Sequence, residues 1–421
     1  FEGLFGTAEV QNYGDISINA KAGGLATLEA ISTYAMFGEI TIENSGDLNI
    51  TLEGNDRAWL NGIVANTFYG AEVVNSGDIS LNSFANSDSV ATAINTTTRF
   101  NYSSISNTGD LTVVSDSVLG RATARGIFGI ANYDSVILNN SGEIHLVSES
   151  EQGSAYAAGI VANSNGDTQV VNSGDIYIGV SSNVSGNHSM SSYANAILGY
   201  GYDLLIENDG NIWMQGFAEN GDIEAAGIKG VGRQFNTNIL NAGDISVFLS
   251  NIDDGATSTG ISLIATYDAI IENTGDLEIV AESDNGIAKA YGMRALSQFG
   301  FIEASNAGII MATSESGIAN AVSLNGFHGV SFTNTGDIIA IGDNAVAISS
   351  NLEQYTYYGT DIVNKGKIHG DILTGAGDDM LQNDASGSIF LSDSTIDLGD
   401  GENAFVNLGE LFADGDANLI N

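Results

Sequence analysis

The tripeptide Asn-x-Gly returns along this chain at an almost fixed interval, and that interval restricts the available folds more than any other feature. The asparagines are Asn12, Asn44, Asn75, Asn107, Asn140, Asn172, Asn208, Asn241, Asn273, Asn306, Asn334 and Asn364, with a thirteenth, Asn407, further on. Spacings among the first twelve run from 28 to 36 residues, most of them 32 or 33. A period of that size marks a stack of supersecondary units: a solenoid, a propeller or an array.

The residues around each asparagine choose among these. Aliphatic side chains stand two places before it (Val10, Ile42, Val73, Ile105), two beyond the glycine (Ile16, Leu48, Ile79, Leu111) and two further on (Ile18, Ile50, Leu81, Val113). Alternation of period two on both sides of a fixed turn reads as strand, turn, strand. A third short strand is signalled upstream by a small residue followed by an aliphatic one, as in Gly62-Ile63, Gly126-Ile127 and Gly159-Ile160. A propeller blade needs four strands and a longer repeat, and a ring closes with roughly four to eight blades. The pattern therefore predicts an all-β, right-handed parallel β-helix of about 13 coils of about 32 residues, three strands per coil. At about 4.8 Å per coil the rod is roughly 60 Å long. Residues 1–369 form the regular part; residues 370–421 form an acidic end with shorter coils.

Composition agrees. Proline, which removes a ladder hydrogen bond, is absent, and 53 glycines supply the turns. Cysteine is absent too, so disulfides and thiolate metal sites are excluded. With 52 acids against 11 bases the net charge is −41, which disfavours nucleic acid and anionic membranes as partners. No apolar run is long enough for a transmembrane helix. The Ser/Asn/Asp-rich segments between repeats, such as SFANSDS, SESEQGS and SSNVSGNHSMSS, are expected to protrude as variable loops and carry binding.

The asparagine column is expected to be a structural ladder, each amide bonding its own turn and the amide of the next coil, rather than a row of side chains binding glycan. Asparagine and the glycine after it are also expected to take left-handed backbone at a sharp corner. The residue after each glycine is usually acidic: Asp15, Asp47, Asp78, Asp110, Asp175, Asp244, Asp276 and Asp337, with Glu143 and Glu410, while Asn211, Ile309 and Lys367 fill other places. Like charges one coil apart repel by about 0.9 kcal/mol in water, and by roughly 3–4 kcal/mol at an effective dielectric of 20. Either the column is a solvated ridge or cations sit between coils. Asp15, Asp47, Asp78 and Asp110 are the candidate Ca2+ ligands in the second case.

Near the C-terminus, TGAGDDML (374–381) resembles one nonapeptide of an RTX calcium roll, with LGDGENAF (398–405) a fainter copy. The resemblance implies Ca2+ held by Asp378, Asp379, Asp400 and Glu402. Calcium rolls place such nonapeptides in direct tandem, whereas these lie 24 residues apart, so an ordinary short β-coil with acidic corners is the alternative. No other cofactor is implied.

Taken over almost its whole length, the repeated aliphatic-x-Asn-[Ser/Thr]-Gly-x-[Ile/Leu] pattern, the lack of cysteine and the end DLGDGENAFVNLGEL resemble passenger regions of bacterial autotransporters. That family ends in a membrane-embedded β-barrel, which this sequence does not contain, and often has Thr at the corner where Asp stands here. The resemblance implies export from a Gram-negative cell and a role at or beyond the cell surface, commonly adhesion.

β-Helices also host polysaccharide lyases and hydrolases and glycan-binding modules of the phage-tail kind. Catalysis there needs carboxylates clustered with Arg or Lys on one face. The eleven bases are dispersed along the sequence, and His145, His188, His328 and His369 lie in different repeats without ligand spacing. The expected function is therefore a non-enzymatic extracellular structural or adhesive β-helix. Its partners would be a surface or glycan ligand, or further copies of itself. Neither end shows an amphipathic capping helix, so head-to-tail stacking into a filament, or a longer chain, is also expected.

Overall fold

A computed structural model describes residues 2–3, 6–183, 191–234, 236–350 and 358–420. His188 and the centre of SSNVSGNHSMSS lie outside them. Among the described residues there is no helix; the chain is a stack of parallel coils whose strands form two long sheets, one of 14 and one of 27 strands. Each regular coil has a five-residue strand ending at the ladder asparagine, a seven-residue strand after the corner, and a ten-residue strand. Ile40–Asn44, Leu48–Gly54 and Ala58–Thr67 are one such set. Every strand pairs with its counterpart one coil away, as Ile42 does with Val73. Inward positions form columns of Ile, Leu, Val and Ala that run the length of the rod.

Twelve asparagines from Asn12 to Asn364 bound eleven full-length turns, and two shorter turns follow. The first of these passes through Asn383, which gives fourteen strands in the asparagine sheet rather than about thirteen. Asn383 escapes the Asn-x-Gly pattern because its turn reads Asn-Asp-Ala-Ser-Gly. Both sheets continue unbroken past residue 370.

The asparagine ladder is continuous. Each Nδ2 donates to the Oδ1 of the next coil's asparagine, at 2.7 Å for Asn44 to Asn75 and 2.8 Å for Asn107 to Asn140. The same amide donates to the carbonyl of the glycine two residues on, 2.7 Å for Asn107 to Gly109. The left-handed corner is not found. None of these asparagines or their glycines has positive φ. Glycine is required for another reason: a Cβ on Gly46, Gly77 or Gly109 would overlap the carbonyl oxygen of the corresponding glycine in the preceding coil. Tight stacking, not handedness, fixes it.

The variable segments also differ from expectation. Ser83–Ala85 and Ser89 of SFANSDS and Ser148–Ser150 of SESEQGS lie within strands, leaving turns of only three and four residues (86–88 and 151–154). The strand serines Ser83, Ser89, Ser148 and Ser150 are buried; Ser89 Oγ bonds Ser83 Oγ at 2.9 Å, and Ser115 Oγ of the next coil bonds Ser89 Oγ at 3.0 Å. Where a segment is spent on buried hydroxyl pairs, it cannot also be a protruding loop.

Candidate functional site

The acid column forms a second ladder, on the outside. Asp15 Oδ1 accepts the backbone N–H of Asp47 at 3.1 Å, Asp47 that of Asp78 at 3.0 Å, and Asp78 that of Asp110 at 2.9 Å. The series continues to Glu143, and later from Asp175 to Asn211 and from Asp276 to Ile309. These carboxylates are exposed, apart from that of Asp175, which is half-buried. The column thus has a structural use that sequence reasoning missed: each acid caps an N–H of its neighbour that the corner would leave unpaired. At Lys367, where a base replaces the acid, the ammonium pairs with Asp337 at 3.2 Å.

At the C-terminal end the two nonapeptides stack directly despite their separation in sequence. Ala376 bridges Asp400, Gly377 N–H donates to Asp400 O at 2.9 Å, and Glu402 N–H donates to Asp378 Oδ1 at 2.9 Å. Their carboxylates diverge, however. Asp378, Asp400 and Glu402 are exposed, whereas Asp379 points into the core and is only 2% exposed. Asp379 Oδ1 accepts Thr360 N–H at 2.6 Å, and its own N–H donates to Asn403 Oδ1 at 2.9 Å. Burial pushes the Asp379 carboxyl above the usual carboxylate range; Thr374 and Thr360 offset part of the rise, and Asp361 adds to it. Among the described residues, no three His, Asp or Glu side chains converge as a metal ion requires.

The coils differ from one another most on a third face, the outer surface of the ten-residue strands. Each strand bends at its fifth residue, always small: Gly62, Ala93, Gly126, Gly159, Ala196, Gly227, Gly260 or Gly292. The fifth and sixth residues are both buried, which breaks the in–out alternation, and strand pairing passes over the fifth. A Cβ on Gly126 would lie 2.6 Å from Gly159 O and 3.0 Å from Ile144 Cγ2, so the column stays small. The small-aliphatic dipeptide is therefore the inside of a bend rather than a short strand of its own. Outside, the bend makes a groove whose walls are the second, fourth, seventh and ninth residues of each strand.

Aromatic and basic side chains gather there. Trp59, Tyr156 and Tyr193 share the second position, with Tyr193 pairing directly with Tyr156. In the upstream half the groove fills itself: Phe128, Tyr156 and Tyr200 pack over Ala158, Val161 and Leu198. Arg125 lies across these rings, its guanidinium 4.8 Å from the Phe128 centroid and 5.6 Å from that of Tyr156. Arg121 adds a second contact to Tyr156 at 5.1 Å. Downstream the groove opens into a cavity of about 330 Å3 lined by Tyr193, Asn195, Glu224, Lys229, Lys289, Tyr291 and Arg294. Arg294 is held with its guanidinium 5.3 Å from the Tyr291 centroid.

Four of the eleven bases therefore share one groove, although they are far apart in sequence. Among the described residues the ion pairs are Lys21–Glu53, Arg57–Asp88, Lys367–Asp337 and the histidine pair His145–Glu143. None involves Arg125, Lys229, Lys289 or Arg294. The signal was available in the sequence: Arg125 directly precedes the Gly126-Ile127 marker, and Lys229 and Arg294 directly follow Gly227-Ile228 and Gly292-Met293. His145 and His369 instead stack on Tyr177 and Phe390 at 4.5 and 4.3 Å, and His328 meets Tyr358 edge-on at 5.3 Å, within surface aromatic rows. Comparison with protein-family models, with characterised proteins and with solved structures found no match to this chain, so the groove is read from its own residues.

Proposed function

We propose that this chain is a non-enzymatic, extracellular or cell-surface adhesive β-helix that binds its ligand along the groove of the ten-residue strands. One observation carries the reading. Among the described residues, a rod of net charge −41 leaves four bases without a carboxylate ion pair and sets them beside half-buried and exposed aromatic rings on a single concave strip. Structural scaffolding gives no reason for that arrangement, because the asparagine and aspartate ladders already tie each coil to the next. Arginine and tyrosine side chains within reach of solvent, with no carboxylate partner, are the kind of group that binding surfaces use as anchors.

A second reading has its own support. Glu224 lines the same cavity as Lys229, Lys289 and Arg294, and a carboxylate with bases on one face of a β-helix is what polysaccharide cleavage needs. The two readings separate in one experiment. Beads coated with the purified chain are tested for retention on surfaces bearing acidic, neutral and no polysaccharide, and the soluble polymers are assayed for new chain ends after prolonged incubation. Retention without cleavage supports the adhesive reading. Cleavage that Glu224→Gln abolishes replaces it with the enzymatic one, and absence of both sinks the two together.

A further inference from the structure

We infer that the groove's ligand is an anionic polysaccharide lying parallel to the rod axis, its sugar rings on the aromatic side chains and its carboxylates or sulfates on the four bases. The inference rests on the adhesive reading above and deepens it.

Three features of the groove point to this chemistry. The first is repeat length: successive coils advance by about 4.8 Å, close to the length of one sugar in an extended chain. A strand of sugars can thus present the same kind of face to coil after coil. The second is the rings. Trp59 and Tyr193 are 42% and 40% exposed, on the wall rather than inside the core. Apolar ring faces with a polar edge suit pyranose rings, which carry C–H groups on their faces and hydroxyls around their rims. Asn195 and Thr259 in the cavity supply neutral hydrogen-bonding partners for those hydroxyls.

The third is charge spacing. Arg125, Lys229 and the Lys289/Arg294 pair sit on coils three and two apart, because Arg125 leads through Ala158 and Asn195 to Ala226 in register, and Lys229 through Ser262 to Arg294. That is one positive group per roughly 10–14 Å of axis. A polysaccharide with an acid on every second or third sugar matches it. Single-stranded nucleic acid, with a phosphate on every residue, would bring far more charge than the groove can neutralise and would meet the surrounding acidic rod. The same field favours a sparsely charged polymer held close within the groove.

The experiment uses the full 421-residue chain. Its migration through native gels containing polygalacturonate, a glucuronate-containing hyaluronan, or neutral dextran is compared with that of Lys289→Gln/Arg294→Gln and of Asp78→Asn. Asp78 belongs to the acid ladder and does not line the cavity. Thermal melts confirm that each variant folds. The expected result is retardation by hyaluronan, which has a carboxylate on every second sugar, weaker retardation by polygalacturonate and none by dextran, lost at high salt. The double variant should bind at least tenfold more weakly, and Asp78→Asn should be unchanged. Retardation by dextran alone, or acidic-polymer binding that the double variant leaves intact, overturns the ligand class while leaving adhesion standing. Tighter binding to single-stranded DNA or polyglutamate overturns it in the same way. If no polymer binds but coated beads still adhere, the inference fails and the adhesive reading survives; if the beads also fail to adhere, both fall.

Discussion

At the scale of single residues, the molecule is held by ladders in which one side chain serves two coils. Asn107 is the clearest case, because its amide donates to both Asn140 and Gly109 while its oxygen accepts from Asn75. Asn107→Ala leaves Asn140 Oδ1 and Gly109 O without that donor in a site closed to water. Such a loss costs on the order of 3 kcal/mol. Asn12, half-buried at the start of the ladder, has no described asparagine before it, so Asn12→Ala should cost less than half as much. Equal losses in urea melts would contradict the ladder's cooperativity. Asp379 predicts a pH effect. Its folded carboxyl titrates above the ordinary value of 3.8, so between that value and the raised one the native state holds a proton the unfolded chain has released. Stability from this group is therefore fully present below 3.8 and is lost as pH rises through the folded value. Asp379→Asn keeps an oxygen for Thr360 N–H and removes the charge. It should raise the melting temperature at pH 7 more than at pH 3; a variant less stable than the parent at pH 7 would refute this account.

At the scale of the strand, the deciding feature is the bend in each ten-residue strand. Gly159 is representative: a Cβ there would lie 2.5 Å from Ala196 O and 3.0 Å from Ile176 Cγ2. Alanine at the same position in Ala93 and Ala196 shows that the corner can shift to admit one methyl, so Gly159→Ala should cost about 1 kcal/mol. Gly159→Val adds two methyls to a packed corner and should cost about 2–3 kcal/mol, read as a shift in the urea midpoint with unchanged slope. A valine variant as stable as the alanine one would show that the corner has room to spare. The strands and their order were legible in the sequence because period-two alternation is a local signal, and the Asn-x-Gly turn repeats it with little noise. The groove was not legible in that way. Arg125, Lys229 and Arg294 each adjoin a small-aliphatic dipeptide, but that placement becomes a groove only once the dipeptide is known to be a bend and the inter-coil register brings residues 31 to 37 positions apart into contact. The acid ladder was legible as a column but not in its purpose: a hydrogen bond from the next coil's backbone depends on how closely the coils stack. The glycine column was located correctly and explained wrongly for the same reason.

At the scale of the whole molecule, each coil touches only its neighbours, so stability is close to a sum of coil and interface contributions. Fourteen strands in the asparagine sheet give thirteen steps of about 4.8 Å, a rod of roughly 60 Å. Along that length runs a row of exposed like charges, and its cost depends on solution conditions. At 0.01 M salt the Debye length is about 30 Å, so each acid of the column feels several others; at 1 M it is about 3 Å, less than one coil step. Sodium chloride should therefore raise the melting temperature steadily. Calcium tests whether the column also holds ions. One oxygen of most column aspartates already accepts a neighbour's N–H, and the side chains face water with no third carboxylate converging on them. A cation in such a place is held by screening rather than by coordination. Calcium chloride matched in ionic strength to sodium chloride should then give a comparable rise, and chelator at constant ionic strength should change nothing. A calcium-specific gain of several degrees, lost on chelation and abolished by Asp47→Asn/Asp78→Asn, would instead place ions between the coils and give the acid column a second use.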